Sequence, residues 1–167
     1  VPDPTPPTLN VPDAIVVNAN SPLGATATYV ATATDSAGSP VTPACSKASG
    51  ALFPIGITTV TCTASDARGN TSAAKTITVQ VKGAVVQLVH VLRVVQSWKT
   101  KSNLPESRIK QMIRALTQPR PAVSRACRLI GDRGAFGKEL SAGQRASVRA
   151  ELARIYDVVG CSRALKK

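Results

Sequence analysis

The chain changes chemistry at Lys82-Gly83, and that break constrains it more than any other feature. Residues 1–82 carry four basic side chains, Lys47, Arg68, Lys75 and Lys82, against four acidic ones, Asp3, Asp13, Asp35 and Asp66. Residues 83–167 carry seventeen Lys or Arg against five Asp or Glu, so the entire formal net charge of +12 lies there. The first part is rich in Thr, Ala, Pro and Val. An asymmetry of this size predicts two small domains with separate roles. A domain of about 80 residues holds only a modest core. Aromatic residues are few, namely Tyr29, Phe53, Trp98, Phe136 and Tyr156. Aliphatic cores bury less area per residue, which raises the weight of covalent cross-links.

Four cysteines are present, Cys45, Cys62, Cys127 and Cys161. An even number in a small Thr- and Pro-rich chain points to disulfides and an oxidising compartment. Metal-binding thiols are the alternative, but no C-x-x-C pair exists and His90 is the sole histidine, which disfavours zinc. No cofactor is expected. The apolar run 84–95 is too short for a membrane span and is interrupted by Gln87, His90 and Arg93. The chain opens on Val1, which predicts a mature or excised piece of a longer protein. Residues 1–8, with Pro2, Pro4, Pro6 and Pro7, read as a polyproline-like linker from an upstream neighbour.

The N-terminal half reads as all-β. Residues 25–34 place Ala25, Ala27, Tyr29, Ala31 and Ala33 on one face. Residues 57–64 put Val60, Cys62 and Ala64 opposite a set of threonines, and residues 75–81 present Ile77, Val79 and Val81. Period-two alternation with β-branched enrichment is the signature of half-buried strands. Asp35-Ser-Ala-Gly38 and Asp66-Ala-Arg-Gly-Asn70 separate the runs as turns, with each Asp expected to cap its own turn rather than bind calcium. Six or seven short strands over about 75 residues predict a small antiparallel sandwich.

The segment Phe53-Pro-Ile-Gly-Ile-Thr-Thr-Val-Thr-Cys62-Thr-Ala-Ser-Asp66-Ala-Arg-Gly-Asn70 closely resembles the hallmark of the hyalin repeat, or HYR, domain. Pro6-Pro7-Thr8 with Val11-Pro12-Asp13 resembles its opening. Ala31-Thr-Ala-Thr-Asp35 and Val41-Thr-Pro-Ala-Cys45-Ser resemble its middle, and Ile77-Thr-Val-Gln-Val81 its last strand. Ile57 departs from the pattern, which usually has a small polar residue there. The resemblance implies an immunoglobulin-like sandwich, a Cys45–Cys62 bridge, an extracellular location and roles in adhesion or protein interaction. The alternation agrees, because it turns Cys62 to the same face as Val60 and Ala64. Closing a loop of this size stabilises by on the order of 3 kcal/mol.

The second half reads as four amphipathic helices. Val85, Leu88, Val89, Leu92, Val95 and Trp98 give residues 84–101 a broad apolar face. Pro105 suits the first turn of a second helix, with Ser102 and Asn103 as cap candidates and Ile109, Met112, Ile113 and Leu116 as its stripe. Pro119 and Pro121 end it. Val123, Ala126, Cys127 and Ile130 mark a third helix that stops between Gly131 and Gly134. Ser141 and Gln144 form a capping box for the fourth, which Val148, Leu152, Ile155 and Val159 line and Gly160 terminates. A Cys127–Cys161 bridge would pin the chain end to this core. The half also resembles a small helical segment that follows HYR-like repeats in some bacterial secreted proteins, through Ala126-Cys127, Leu140-Ser-Ala-Gly-Gln144 and Ile155-Tyr-Asp-Val-Val-Gly-Cys161. Those relatives are Ala-rich and near neutral, so the arginines here are a departure.

The expected fold is therefore multi-domain β + α: a linker over 1–8, an HYR-like antiparallel β-sandwich over 9–82, and a small antiparallel helical bundle of about four helices over 83–167. Neither a carboxylate pair at useful spacing nor a Gly-rich loop after a strand is present, and His90 stands alone, so no catalytic site is expected. Among the basic residues of the second half, eleven are Arg and six Lys, and guanidinium forks suit carboxylate, sulfate and phosphate. Arg108, Arg114, Arg125, Arg128, Arg145, Arg149 and Arg163 are the candidate polyanion-binding residues. The expected partners are a protein or an anionic polysaccharide or other cell-surface polymer. Nucleic acid, if bound, would not be read by sequence, because few aromatics interleave the charges. Solvated helix faces that only keep the protein soluble are the alternative. Two other roles remain open: a structural subunit that self-assembles into an extracellular filament or layer, and an accessory domain of a secreted hydrolase.

Overall fold

The computed structural model describes residues 4–98, 104–118, 123–131 and 140–161. The chain forms two compact units. One comprises the residues up to Val17 together with Ala25–Val81; the other comprises Asn18–Gly24 together with the chain from Lys82 onward. The first is built of strands and the second of helices.

Nine strands are described: β1 (Thr8–Asn10), β2 (Ala14–Asn18), β3 (Ala25–Thr26), β4 (Thr32–Thr34), β5 (Pro40–Val41), β6 (Ala44–Cys45), β7 (Leu52–Phe53), β8 (Gly56–Thr63) and β9 (Lys75–Lys82). They form sheets of order β1-β4-β5, β2-β9-β8-β6 and β3-β7. The expectation of six or seven strands is low because β3, β5, β6 and β7 pair over only two residues each, too few to show a period. Antiparallel register holds for β1–β4, β4–β5, β3–β7, β6–β8 and β8–β9. The neighbour of β9 on its other side departs from it. Asp13 O accepts from Thr78 N and Lys82 O from Ala19 N, both at 2.9 Å, so the two chains advance together and β2 lies parallel to β9. Alternation reports faces, not directions, and could not show this.

The alternating residues do face inward. Val60 and Ile77 are cross-strand partners, and both are fully buried with Cys62, Ala64, Val79 and Val81. Leu9, Ala25, Ala27, Ala33 and Phe53 complete this apolar set. The outer face of β8 and β9 pairs Thr59 with Thr78 and Thr61 with Thr76. Ile57 stands on that face opposite Gln80 and is 70% exposed, in keeping with a position where a small polar side chain would be at home. Cys45 is bonded to Cys62, its direct cross-strand neighbour. The bridge fastens the two-residue edge strand β6 to β8, helped by Ser46, whose N–H donates to Thr61 O and whose Oγ accepts from Thr61 N.

Four helices follow: α1 (Ala84–Ser97), α2 (Leu104–Thr117), α3 (Val123–Gly131) and α4 (Ala142–Val159). Successive helices pack on one another and α4 also packs on α1. Leu88, Val91 and Val95 of α1, Ile109 and Met112 of α2, Ile130 of α3, and Val148, Leu152 and Ile155 of α4 form one buried cluster with Leu140. Trp98 packs against it, as a half-buried plug. Helix α1 stops at Ser97 rather than 101: Ser97 Oγ donates to Val94 O and Trp98 N to Val95 O, which tightens the last turn. Pro105 lies in the first turn of α2; Ser102, Asn103, Pro119, Pro121 and Gly134 fall outside the described residues. The capping box of α4 is complete, with Gln144 N donating to Ser141 Oγ and Ser141 N to Gln144 Oε1. Gly160 closes α4 at φ 77°, and a Cβ there would meet Pro22 Cγ at 3.1 Å.

Cys127, fully buried on α3, is bonded to Cys161 just beyond that glycine. The bridge closes a loop of 34 residues, for which chain entropy predicts about 4 kcal/mol. Replacing both residues, Cys127→Ser with Cys161→Ser, should lower stability by about that amount in urea denaturation. An unchanged midpoint and slope would show that the helices do not depend on it.

Candidate functional site

The seven candidate arginines do not share one environment. Arg114, Arg125, Arg128 and Arg149 are exposed, and their guanidinium groups have no hydrogen-bond or ion-pair partner among the described residues. Arg108 is half-buried, with its Nε shielded from solvent. Arg145 is half-buried too and donates to the backbone carbonyl of Leu140, so it braces the approach to α4. Arg163 lies outside the described residues, as do Lys166 and Lys167.

The exposed set is divided in what it does for helix stability. Arg125 stands in the first turn of α3, which has no acidic residue there, and a cation at the positive end of a helix is unfavourable by roughly 0.3–1 kcal/mol. Arg145 and Arg149 are like charges at i, i+4, destabilising by about 0.2–0.5 kcal/mol. Arg114 and Arg128 occupy the last turns of α2 and α3, where a cation is favoured. Of the other basic residues, Lys110 pairs with Glu106 at 3.4 Å and Arg154 with Glu151. Exposed pairs of this kind contribute little.

Among the described residues, two hollows of the helical unit hold polar side chains. One, of about 140 Å³, is lined by Gln111, Arg114, Ala115 and Gln118 of α2 and by Arg125 of α3. It brings together two of the candidate arginines. The two glutamines were not apparent as candidates in the sequence, although Gln111, Arg114, Ala115 and Gln118 recur at i, i+3, i+4 and i+7, which puts them on one face. The other hollow, of about 100 Å³, lies between α1 and α4 and is lined by His90, Val91, Val94, Trp98, Ser147, Val148 and Glu151. No described hydrogen bond joins His90, Ser147 and Glu151 to one another.

Gln87 is a third residue that sequence reasoning missed. It is buried on α1, and its Nε2 donates to Ala19 O at 3.1 Å and Lys82 O at 2.8 Å. The segment Asn18–Gly24 belongs to the helical unit through such contacts. Because Ala19 is distant in sequence, nothing near Gln87 signals this role.

In the β unit, Asp35 Oδ1 accepts from Ala37 N and Ser39 N, and Asp66 Oδ1 from Arg68 N and Asn70 N. Asp66 Oδ2 accepts from Asn70 Nδ2 at 2.8 Å. The carboxylates thus spend their lone pairs on their own turns. Among the described residues no group of three or more His, Cys, Asp or Glu is placed to hold a metal ion. Tyr29 O–H donates to Lys47 O, while Ser49 Oγ accepts from Tyr29 N and donates to Tyr29 O. Burial pushes the Tyr29 phenol up. The Lys47 ammonium lies 4.6 Å from the centre of the Phe53 ring.

A unit of short strands fastened by a cross-strand disulfide is a compact β module of the kind used outside the cell. Residues 2–81 match the family model of the HYR domain. HYR domains are generally extracellular, adhesion-like modules, and the two disulfides fit that location. The match ends at Val81, ahead of the four helices. No curated protein matches the chain. Among the described residues no helix is long and apolar enough to cross a membrane.

The Asn70 side chain and the backbone amides hold the Asp66 carboxyl below its usual range. A depressed folded-state value adds stability above the unfolded pKa, near 4, and that stability is lost as pH falls through the folded value. Asp66→Asn should therefore lower Tm at pH 7 and flatten the loss of Tm below about pH 4. Parallel curves of Tm against pH for the two proteins would rule this out.

Proposed function

We propose that the chain is a non-catalytic, secreted interaction module with divided labour. The β unit is read as an immunoglobulin-like sandwich that serves adhesion or protein contact. The helical unit is read as an antiparallel four-helix bundle that attracts an anionic polysaccharide or other cell-surface polymer. The observation that carries this reading is the placement of charge. All of the +12 falls after residue 82, and four exposed arginines there have no described partner. Positions costly to helix stability, such as Arg125, support a role other than folding.

Self-assembly into a filament is the weaker reading. Sheet-edge strands β1, β2, β5 and β6 are three, five, two and two residues long, and short edges are poor templates for chain-to-chain pairing.

Chromatography on immobilised heparin should retain the protein at low ionic strength and release it as salt rises, because phosphate-like and sulfate contacts are screened over about 10 Å at 0.1 M salt. Passage without retention at low salt would remove the polyanion reading. Sizing chromatography should give a monomer at all concentrations; a concentration-dependent shift would favour assembly instead.

A further inference from the structure

The hollow between α2 and α3 has a chemistry more specific than a general basic surface. Its floor is Ala115, buried at 4% exposure, whose methyl group is too small to fill the space between the helices. Its rim is Gln111, Arg114 and Gln118 from one face of α2, with Arg125 from the start of α3. Among the described residues no carboxylate lines it. Two cations therefore share a concave site without an acidic neighbour, one of them at a position that disfavours a cation. An anion would offset both costs.

The two amides narrow the choice of anion. A guanidinium donates only, and its planar fork matches a carboxylate through two parallel hydrogen bonds. A glutamine amide both donates and accepts. Sulfate, and phosphate as its dianion, only accept, so the amide oxygens would gain nothing from them. Sugar hydroxyls donate as well as accept and can use both ends of an amide. The volume, about 140 Å³, is about ten times what one water needs, and so has room for a sugar ring.

We propose that this hollow binds one acidic sugar unit of a polyuronate, with Arg114 and Arg125 taking the carboxylate and Gln111 and Gln118 taking ring hydroxyls. The assignment rests on the polyanion reading above and deepens it. It makes α2 and α3 the recognition surface, and leaves Arg128 and Arg149 to general attraction.

Calorimetric titration of the full chain with polygalacturonate and with dextran sulfate tests it. The first polymer offers carboxylates without sulfates, and the second the reverse. Arg114→Ala with Arg125→Ala should weaken polygalacturonate binding by about tenfold or more, as expected for charge-assisted bonds. Arg128→Ala with Arg149→Ala changes net charge equally and should weaken it by about threefold or less. Gln111→Met with Gln118→Met keeps size and charge. It should weaken polygalacturonate by about threefold and dextran sulfate by less. Equal losses from the two arginine pairs would overturn the hollow and leave the diffuse surface standing. Insensitivity to the glutamine pair, with the arginine pair acting on dextran sulfate, would overturn the sugar and indicate an oxyanion site. No binding of either polymer by the unaltered chain would sink both readings. Thermal unfolding followed by circular dichroism confirms that each variant is folded before it is titrated.

Discussion

The bond between Cys127 and Cys161 is the constraint on which the basic surface depends. Helix α3 has nine residues, and a helix that short is marginal by itself in water. It persists because Ala126, Cys127 and Ile130 are buried, because α2 and α4 pack on either side, and because the bridge fixes it to the chain beyond α4. Gly160 makes that geometry accessible. Its left-handed conformation ends α4 and turns the chain so that Cys161 is fully buried beside its partner. Without the bridge, Arg125 and Arg128 would sit on a fraying segment. The hollow with α2 would lose one wall. A reducing compartment would therefore remove the surface together with the staple, which agrees with the extracellular setting of HYR domains.

The β unit solves a related problem by the same means at a different place. Its core is built from alanines, valines, one isoleucine, one leucine and Phe53, which bury little area per residue. Edge strand β6 has two residues and could not hold its place by ladder bonds alone. The Cys45–Cys62 bridge lies across one strand pair rather than between sheets, so it secures an edge. The repeated turn supplies local order: Asp35 and Asp66 each receive two backbone N–H groups at the same offsets, i+2 and i+4. This is local chemistry that competes with no ladder.

Where the sequence carries a period or a cap, it foretells the structure. The faces of residues 57–64 and 75–81, the Ser141–Gln144 box, the Gly160 stop and the buried face of α3 are all set by neighbours within a few residues. Three features escape for the opposite reason. Strands of two residues have no period. The parallel course of β2 beside β9 is a property of the crossover and leaves no mark on either strand. Gln87 is buried because two carbonyls, Ala19 and Lys82, converge on its amide, and one of them is remote. At the candidate site, positive charge is legible residue by residue. The split between exposed Arg114, Arg125, Arg128 and Arg149 and half-buried Arg108 and Arg145 is not, because it depends on which helix lies alongside.

That split changes what the charge means. If the arginines served only to keep the protein soluble, their positions would be indifferent to helix polarity, and lysine, strongly hydrated and a poor fork, would do as well. Instead arginine outnumbers lysine eleven to six in the helical half. One arginine lies at a helix start where the field opposes it, and it faces another across a hollow floored by alanine. A larger residue than Ala115 would fill that floor and gain burial. An acidic residue in place of Gln111 or Gln118 would relieve the repulsion. Either change would favour folding, and the sequence has neither. The local arrangement gives up stability at this spot while the second disulfide and the shared aliphatic cluster supply it elsewhere. Such a trade is what the proposed binding of an anionic ligand would require of this surface.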